Sequence, residues 1–125
     1  MFACLHAHGC VVLLPACGCG VFSSPYLEDF EGGLSQCWTN STTDALDWSV
    51  NSGGTPSSST GPSDDVTGGG NYIYVETSGS AAGDSAMLTT GDIDISTLTS
   101  PALRMYTHML GGSMGELSVW VTDAS

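Results

Sequence analysis

The sequence predicts an all-β protein, and three observations support that class. Charged residues make up only 11% of the 125 residues and glycine occurs 17 times, whereas surface helices are built mainly from Lys, Glu, Arg and Ala. Apolar and polar residues alternate in several short runs, as they do in half-buried strands. Hydrophobic residues make up 41% of the chain, including three Trp, so it is not disordered. A chain of this length forms a single domain.

The charge balance limits the possible partners. Arg104 is the single basic residue against 13 acidic ones, and the formal net charge is −12. Such a surface repels nucleic acids and anionic membranes. It attracts divalent cations or proteins with basic surfaces.

Residues 1–22 differ in composition from the rest, because they are apolar and contain no charged residue. This pattern predicts a secretory leader with an apolar core at residues 10–14 and cleavage near residues 16–20, which leaves residues 23–125 as the mature domain. No Lys or Arg marks its start, so a mis-assigned start codon or a shortened leader is an equal alternative. Residues 14–17 also resemble a bacterial lipobox, with lipidation at Cys17 as a weaker alternative. The segment is too short to span a bilayer.

Four of the five cysteines lie in this leader: Cys4, Cys10, Cys17 and Cys19. Removal of the leader would leave Cys37 alone, and we expect a free thiol that behaves as a small apolar residue. A zinc site is disfavoured, because no second ligand pair follows at a zinc spacing.

The predicted strands span residues 26–31, 46–50, 72–75, 84–89, 92–95, 102–109 and 116–122. Between the second and third strands lies a loop of about 20 residues, a length typical of functional or disordered segments. Pro56 and Pro62 fix the backbone there, and Asp and Ser side chains can bond their own backbone, so we expect an ordered loop. The predicted core contains Trp48, Ile73, Val75 and Leu103.

Residues 47–76 read DWSVNSGGTPSSSTGPSDDVTGGGNYIYVE. The ordered set Asp-Trp, Thr-Pro, Thr-Gly-Pro, Asp-x-Thr and Tyr-x-Tyr-Val-Glu resembles the MAM domain, the extracellular β-sandwich module of meprins, neuropilins and receptor tyrosine phosphatases. Asp-Phe-Glu at 29–31, Cys-Trp at 37–38, Gly-Asp-x-Ala-x-Leu at 83–88 and the run from 103 to 119 match the same family. The resemblance covers residues 26–123.

The resemblance implies an antiparallel jelly-roll sandwich. The family module continues through further strands, so we expect a domain that is incomplete at Ser125. Many animal members pair a cysteine before the Asp-Phe-Glu motif with the one before Trp. Glu28 stands at that first position here, and Ala102 stands where a third cysteine is common, so neither family disulfide is expected.

The resemblance also implies a cation site, because some MAM domains bind Ca²⁺ or Na⁺. Glu31, Asp47 and Asp65 match the acids of the family motifs, and Asp29 is an added candidate. Hard oxygen ligands suit Ca²⁺. The alternative is a solvated acidic surface.

Catalysis is disfavoured. His108 is the one histidine after residue 22 and lies within an alternating strand, which favours a structural role over a nucleophilic triad. The pairs Asp29 and Glu31, or Asp64 and Asp65, have the residue types of glycosidases, but nothing else marks a sugar cleft.

The sequence therefore predicts a secreted or cell-surface adhesion module that binds a protein or a second copy of itself. One alternative is a Ca-dependent carbohydrate-binding module that uses Trp120 or Tyr72 as a stacking platform. A fragment of a larger secreted hydrolase is another.

Overall fold

The computed structural model describes the backbone of residues 3–6, together with residues 20–35, 37–111 and 114–122. Its strands are β1 (Ala3–His6), β2 (Phe22–Ser23), β3 (Trp38–Asn40), β4 (Trp48–Ser52), β5 (Asn71–Val75), β6 (Leu88–Thr90), β7 (Ile93–Asp94) and β8 (Tyr106–Met109). Within these ranges there is no helix. The all-β prediction is confirmed.

The main sheet has four strands in the order β4-β5-β1-β8, and each neighbouring pair is antiparallel. The β4–β5 pair is the longest in register, from Trp48 opposite Val75 to Ser52 opposite Asn71. Two smaller sheets are separate from it: β3 pairs with β6 antiparallel, and β2 pairs with β7 parallel.

The core lies on one face of β4 and β5. Its buried members are Phe30, Trp38, Trp48, Ile73 and Val75. Since side chains alternate along a strand, Ile73 and Val75 share one face of β5 and meet Val50 and Trp48 across the pair. The predicted core positions Trp48, Ile73 and Val75 are confirmed, whereas the prediction for Leu103 is wrong, because 37% of that side chain is exposed.

The long loop after β4 covers the opposite face of β5, where Tyr72 and Tyr74 are buried. The Tyr72 hydroxyl donates to Gly53 O at 2.6 Å and accepts from Asn51 Nδ2 at 2.7 Å. Further along the loop, Thr60 O lies 3.2 Å from His108 Nε2 on β8. These bonds confirm that the loop is ordered.

Residues 26–31 do not form the predicted strand. The Glu28 carboxylate accepts hydrogen bonds from the Tyr26 hydroxyl at 2.7 Å and from Phe30 N at 3.0 Å. Phe30 has φ 59°, a left-handed conformation that ends extended structure, and its ring packs edge-on against Trp38. The chain therefore turns here and projects Glu31 towards the start of β5.

Three other strand predictions were partly or wholly wrong. In the ranges 84–89 and 102–109 the strands are confined to β6 and β8, and no strand occurs in the described residues 114–122. Ala86 and Leu88 nevertheless pack against the core.

The thiol prediction for Cys37 is wrong, because Cys37 is disulfide-bonded. The prediction depended on the absence of a cysteine at position 28 and on removal of residues 1–22.

Candidate functional site

An acidic turn precedes β5. Asp65 is 8% exposed, and its Oδ1 accepts hydrogen bonds from Gly68 N at 2.7 Å and Gly70 N at 2.9 Å. Its Oδ2 accepts from Thr67 N at 2.9 Å and from the Thr67 hydroxyl. The Asp65 side chain thus accepts the hydrogen bonds of these backbone N–H groups. Asp side chains commonly bond neighbouring backbone groups in this way where no strand or helix does so.

These donors favour the charged form of Asp65. The pKa of the Asp65 carboxyl therefore lies far below its ordinary value of 3.8. The hydrogen bond from the Thr67 hydroxyl lowers it most, and the amides of Gly70, Thr67 and Gly68 lower it further. Partial burial acts in the opposite direction. The carboxylate is charged, yet its charge is already balanced by dipoles of the chain.

Glu31 meets the same turn. Its Oε1 accepts a hydrogen bond from Asn71 N at 2.8 Å, and its own N–H donates to Asp29 Oδ1 at 3.0 Å. Gly70 lies between the Glu31 and Asp65 carboxylates, where a Cβ would collide with both. Asp29 and Glu31 line an open pocket with Leu27, Thr67 and the glycines at 68–70. The structure therefore brings Asp29, Glu31 and Asp65 to one turn.

Asp47 lies elsewhere. It precedes Trp48, which pairs with Val75, whereas Gly70 adjoins the Asn71–Ser52 pair at the other end of β5. At a rise of about 3.3 Å per residue, the stretch 47–52 spans about 16 Å. Asp47 lines a second pocket with Asn40 and Asp44.

The four predicted carboxylates do not fit one calcium ion, which binds oxygen ligands at about 2.3–2.6 Å. Asp47 is too far from the turn, and both Asp65 oxygens already accept N–H or O–H donors. Across the described ranges, no three His, Cys, Asp or Glu side chains are grouped so as to hold a metal. Calcium binding by these carboxylates is therefore implied by the resemblance alone.

His108 has a structural contact. Its Nε2 lies 3.2 Å from Thr60 O, and because a carbonyl accepts, the ring nitrogen donates. The ring thereby fixes the long loop to β8. The geometry favours the structural role that the sequence predicts.

An exposed apolar segment follows the last strand. Trp120 is 73% exposed and Val121 is 61% exposed, while Leu117 nearby packs against the core. Tyr72, the other predicted stacking residue, is fully buried, so the prediction that it forms a stacking platform is wrong. The high exposure of Trp120 distinguishes it from Trp38 and Trp48, a difference that spacing alone does not give.

No helix in the described part of the chain is long and apolar enough to cross a membrane. No solved structure matches this chain. The family described as "MAM domain, meprin/A5/mu" matches residues 29–125, which is most of the sequence. The matched range includes the three carboxylates of the acidic turn before β5, the β4–β5 core and the exposed Trp120. The chain belongs to the MAM domain family.

Proposed function

We propose that this chain is a non-catalytic extracellular domain that recognises a protein surface through the exposed segment around Trp120. MAM domains occur in extracellular and cell-surface proteins, and in general they are interaction modules without catalytic activity. The observation that carries the proposal is the exposure of Trp120 within the matched region.

The disulfide at Cys37 supports an extracellular location. Disulfides persist in oxidising compartments and are rare in the cytosol, where thiols are kept reduced. The net charge of −12 keeps the domain soluble and monomeric unless a specific contact forms.

The Trp120 segment has the character of a contact surface. Large exposed apolar side chains that are grouped mark interaction sites more often than isolated ones do. Trp is also enriched among the residues that contribute most to protein binding. Trp120 and Val121 are adjacent and both exposed, so a partner that covers them would remove considerable apolar surface from water.

A second copy of the chain is the partner that tests this proposal directly. Each copy carries a net charge of −12, so long-range repulsion opposes the contact. At about 0.15 M salt the Debye length is about 8 Å, which screens most of that repulsion. Burial of Trp120 then stabilises the association.

The experiment is sedimentation velocity of the wild-type chain, Trp120→Ser and Leu98→Ser at about 0.15 M NaCl. Leu98 is also exposed, at 40%, and lies in a turn closed by the hydrogen bond from Leu98 N to Ile95 O, so it is a matched control outside the Trp120 segment in sequence. We expect concentration-dependent dimers for wild type and Leu98→Ser and monomers for Trp120→Ser. Monomers in all three samples would contradict self-recognition.

Carbohydrate binding is the second candidate, favoured by the same exposed indole, since aromatic faces stack on sugar rings. A glycan microarray distinguishes the two. Binding that Trp120→Ser abolishes, in a chain that stays monomeric, would favour the carbohydrate-binding function.

A further inference from the structure

The amino-terminal segment supplies an interior strand of the main sheet. Ala3–His6 lies between β5 and β8. On one side Cys4 and Leu5 pair with Tyr74 and Ile73, and on the other all four residues of β1 pair with residues 106–109. The strand therefore joins two parts of the domain that are more than thirty residues apart in sequence, β5 and β8.

Removal of an interior strand exposes two edges. Neighbouring strands lie about 4.8 Å apart, so loss of β1 would leave a gap of about 10 Å between β5 and β8, lined by backbone N–H and C=O groups without partners. Such edges template pairing with other chains. The gap has the dimensions of a slot for one extended peptide, the geometry of recognition by β-strand addition.

The positions of the cysteines in the sequence give a second and independent argument for this segment. Cys37 is disulfide-bonded, and every other cysteine in the sequence lies at position 4, 10, 17 or 19. The cysteines of the sequence that could pair with Cys37 within one chain therefore all lie in residues 1–22. Removal of residues 1–22 would remove these candidate partners as well as the β1 ladders.

The composition of Ala3–His6 is compatible with an interior strand. Ala3–His6 contains no Asp, Glu, Lys or Arg, as suits a strand that is paired on both edges within a sheet. The same lack of charge makes the segment resemble a secretory leader. Composition alone cannot distinguish a removed leader from an interior strand.

We propose that Ala3–His6 is a permanent strand of the folded domain, which fills a strand-acceptor slot between β5 and β8 and is retained by the disulfide to Cys37. The occupant of the slot is this segment of the chain itself. The domain then extends from β1 rather than from residue 23.

The first test is the covalent state of the full chain, secreted from a host cell behind a host signal sequence that is cleaved before Met1. We expect the intact mass to include residues 1–22. A peptide map without reductant should show the Cys37 peptide linked to a peptide from residues 1–22. A product that begins near residue 23, or a Cys37 that is alkylated without reduction after unfolding, would overturn the proposal.

The second test is hydrogen exchange of Leu5→Pro, with Leu5→Val as the matched control. Proline cannot donate to either neighbouring strand, whereas valine keeps strand propensity. Because amides of an interior strand point alternately to its two neighbours, Leu5→Pro should lose protection at every second amide of β5 and of β8, while the amides of β5 that face β4 stay protected. Failure of Leu5→Pro to fold beside a folded Leu5→Val would also support the strand. Wild-type protection throughout β5 and β8 in Leu5→Pro would overturn it.

Discussion

The indole nitrogen of Trp38 donates a hydrogen bond to the Tyr26 hydroxyl at 3.0 Å. The same hydroxyl donates to Glu28 Oε2 at 2.7 Å. This chain of bonds connects the turn at Glu28 to Trp38, the first residue of β3. The resemblance implies, for many animal members, a disulfide between the position of Glu28 and the residue before Trp38. A polar network thus lies where the resemblance implies a covalent link, and Cys37 uses its sulfur for another disulfide.

Tyr26→Phe should therefore destabilise the domain, because Trp38 is buried and its N–H would lose its acceptor. An unsatisfied buried donor costs about 1–3 kcal/mol. The measurement is the free energy of urea unfolding, with Leu27→Ala as the control, since Leu27 is 52% exposed. Equal stabilities for Tyr26→Phe and wild type would show that the network contributes nothing.

Trp48→Ala should destabilise the domain more than substitution of a partly exposed apolar residue does. The side chain is buried in the core, and its Nε1 donates to Ala86 O at 3.2 Å, so both packing and a hydrogen bond are lost. We expect a cost of about 3–5 kcal/mol, against less than about 1 kcal/mol for the partly exposed Leu103→Ala. Urea midpoints measure both. Similar midpoints for the two variants would contradict the assigned core.

Asp65 gives the stability a defined pH dependence. Its pKa is lowered in the folded state, so its contribution is fully present above its ordinary pKa of 3.8 and is lost as the pH falls from there towards the lowered value. Asp65→Asn should be less stable than wild type at neutral pH, and the difference should shrink below pH 3.8. Urea unfolding at a series of pH values measures this, with the exposed Asp47→Asn as the control. A difference that is constant with pH would rule out the carboxylate charge as its cause.

Part of this fold could be predicted because single segments determine it. The alternation of Tyr72 and Tyr74 with Ile73 and Val75 places β5 and its two faces, and Asp65 beside Gly68 and Gly70 predicts a turn bonded by its own side chain. These features depend on residues that are close in sequence. Pairings between distant segments cannot be predicted in this way.

The failures arose where distant groups compete for a segment. Residues 26–31 have strand character, but the Glu28 carboxylate and the left-handed Phe30 turn the chain instead. Ala3–His6 has the composition of a leader, and its pairing with β5 and β8 depends on segments that are distant in sequence. The convergence of Glu31 with Asp65, without Asp47, likewise depends on the register of β4 on β5.

Calcium binding is tested by thermal unfolding in CaCl₂ and NaCl at matched ionic strength. Because chain donors already occupy Asp65, we expect equal shifts of Tm from the two salts, as screening alone produces. The titration must reach about 10⁻³ M Ca²⁺, the range of weak extracellular sites. A larger shift in Ca²⁺ that Glu31→Gln removes and Asp47→Asn preserves would instead establish a calcium site at the acidic turn before β5.

The salt dependence of self-association tests the recognition function most directly. Two copies that each carry a charge of −12 repel, while the contact through Trp120 is apolar and insensitive to screening. Sedimentation equilibrium from about 0.05 M to about 0.5 M NaCl should therefore show a dimer Kd that decreases as salt increases. In Trp120→Ser, the dimer should be absent at every salt concentration. A wild-type chain that is monomeric throughout, or a dimer that weakens as salt increases, would contradict self-recognition through the Trp120 segment.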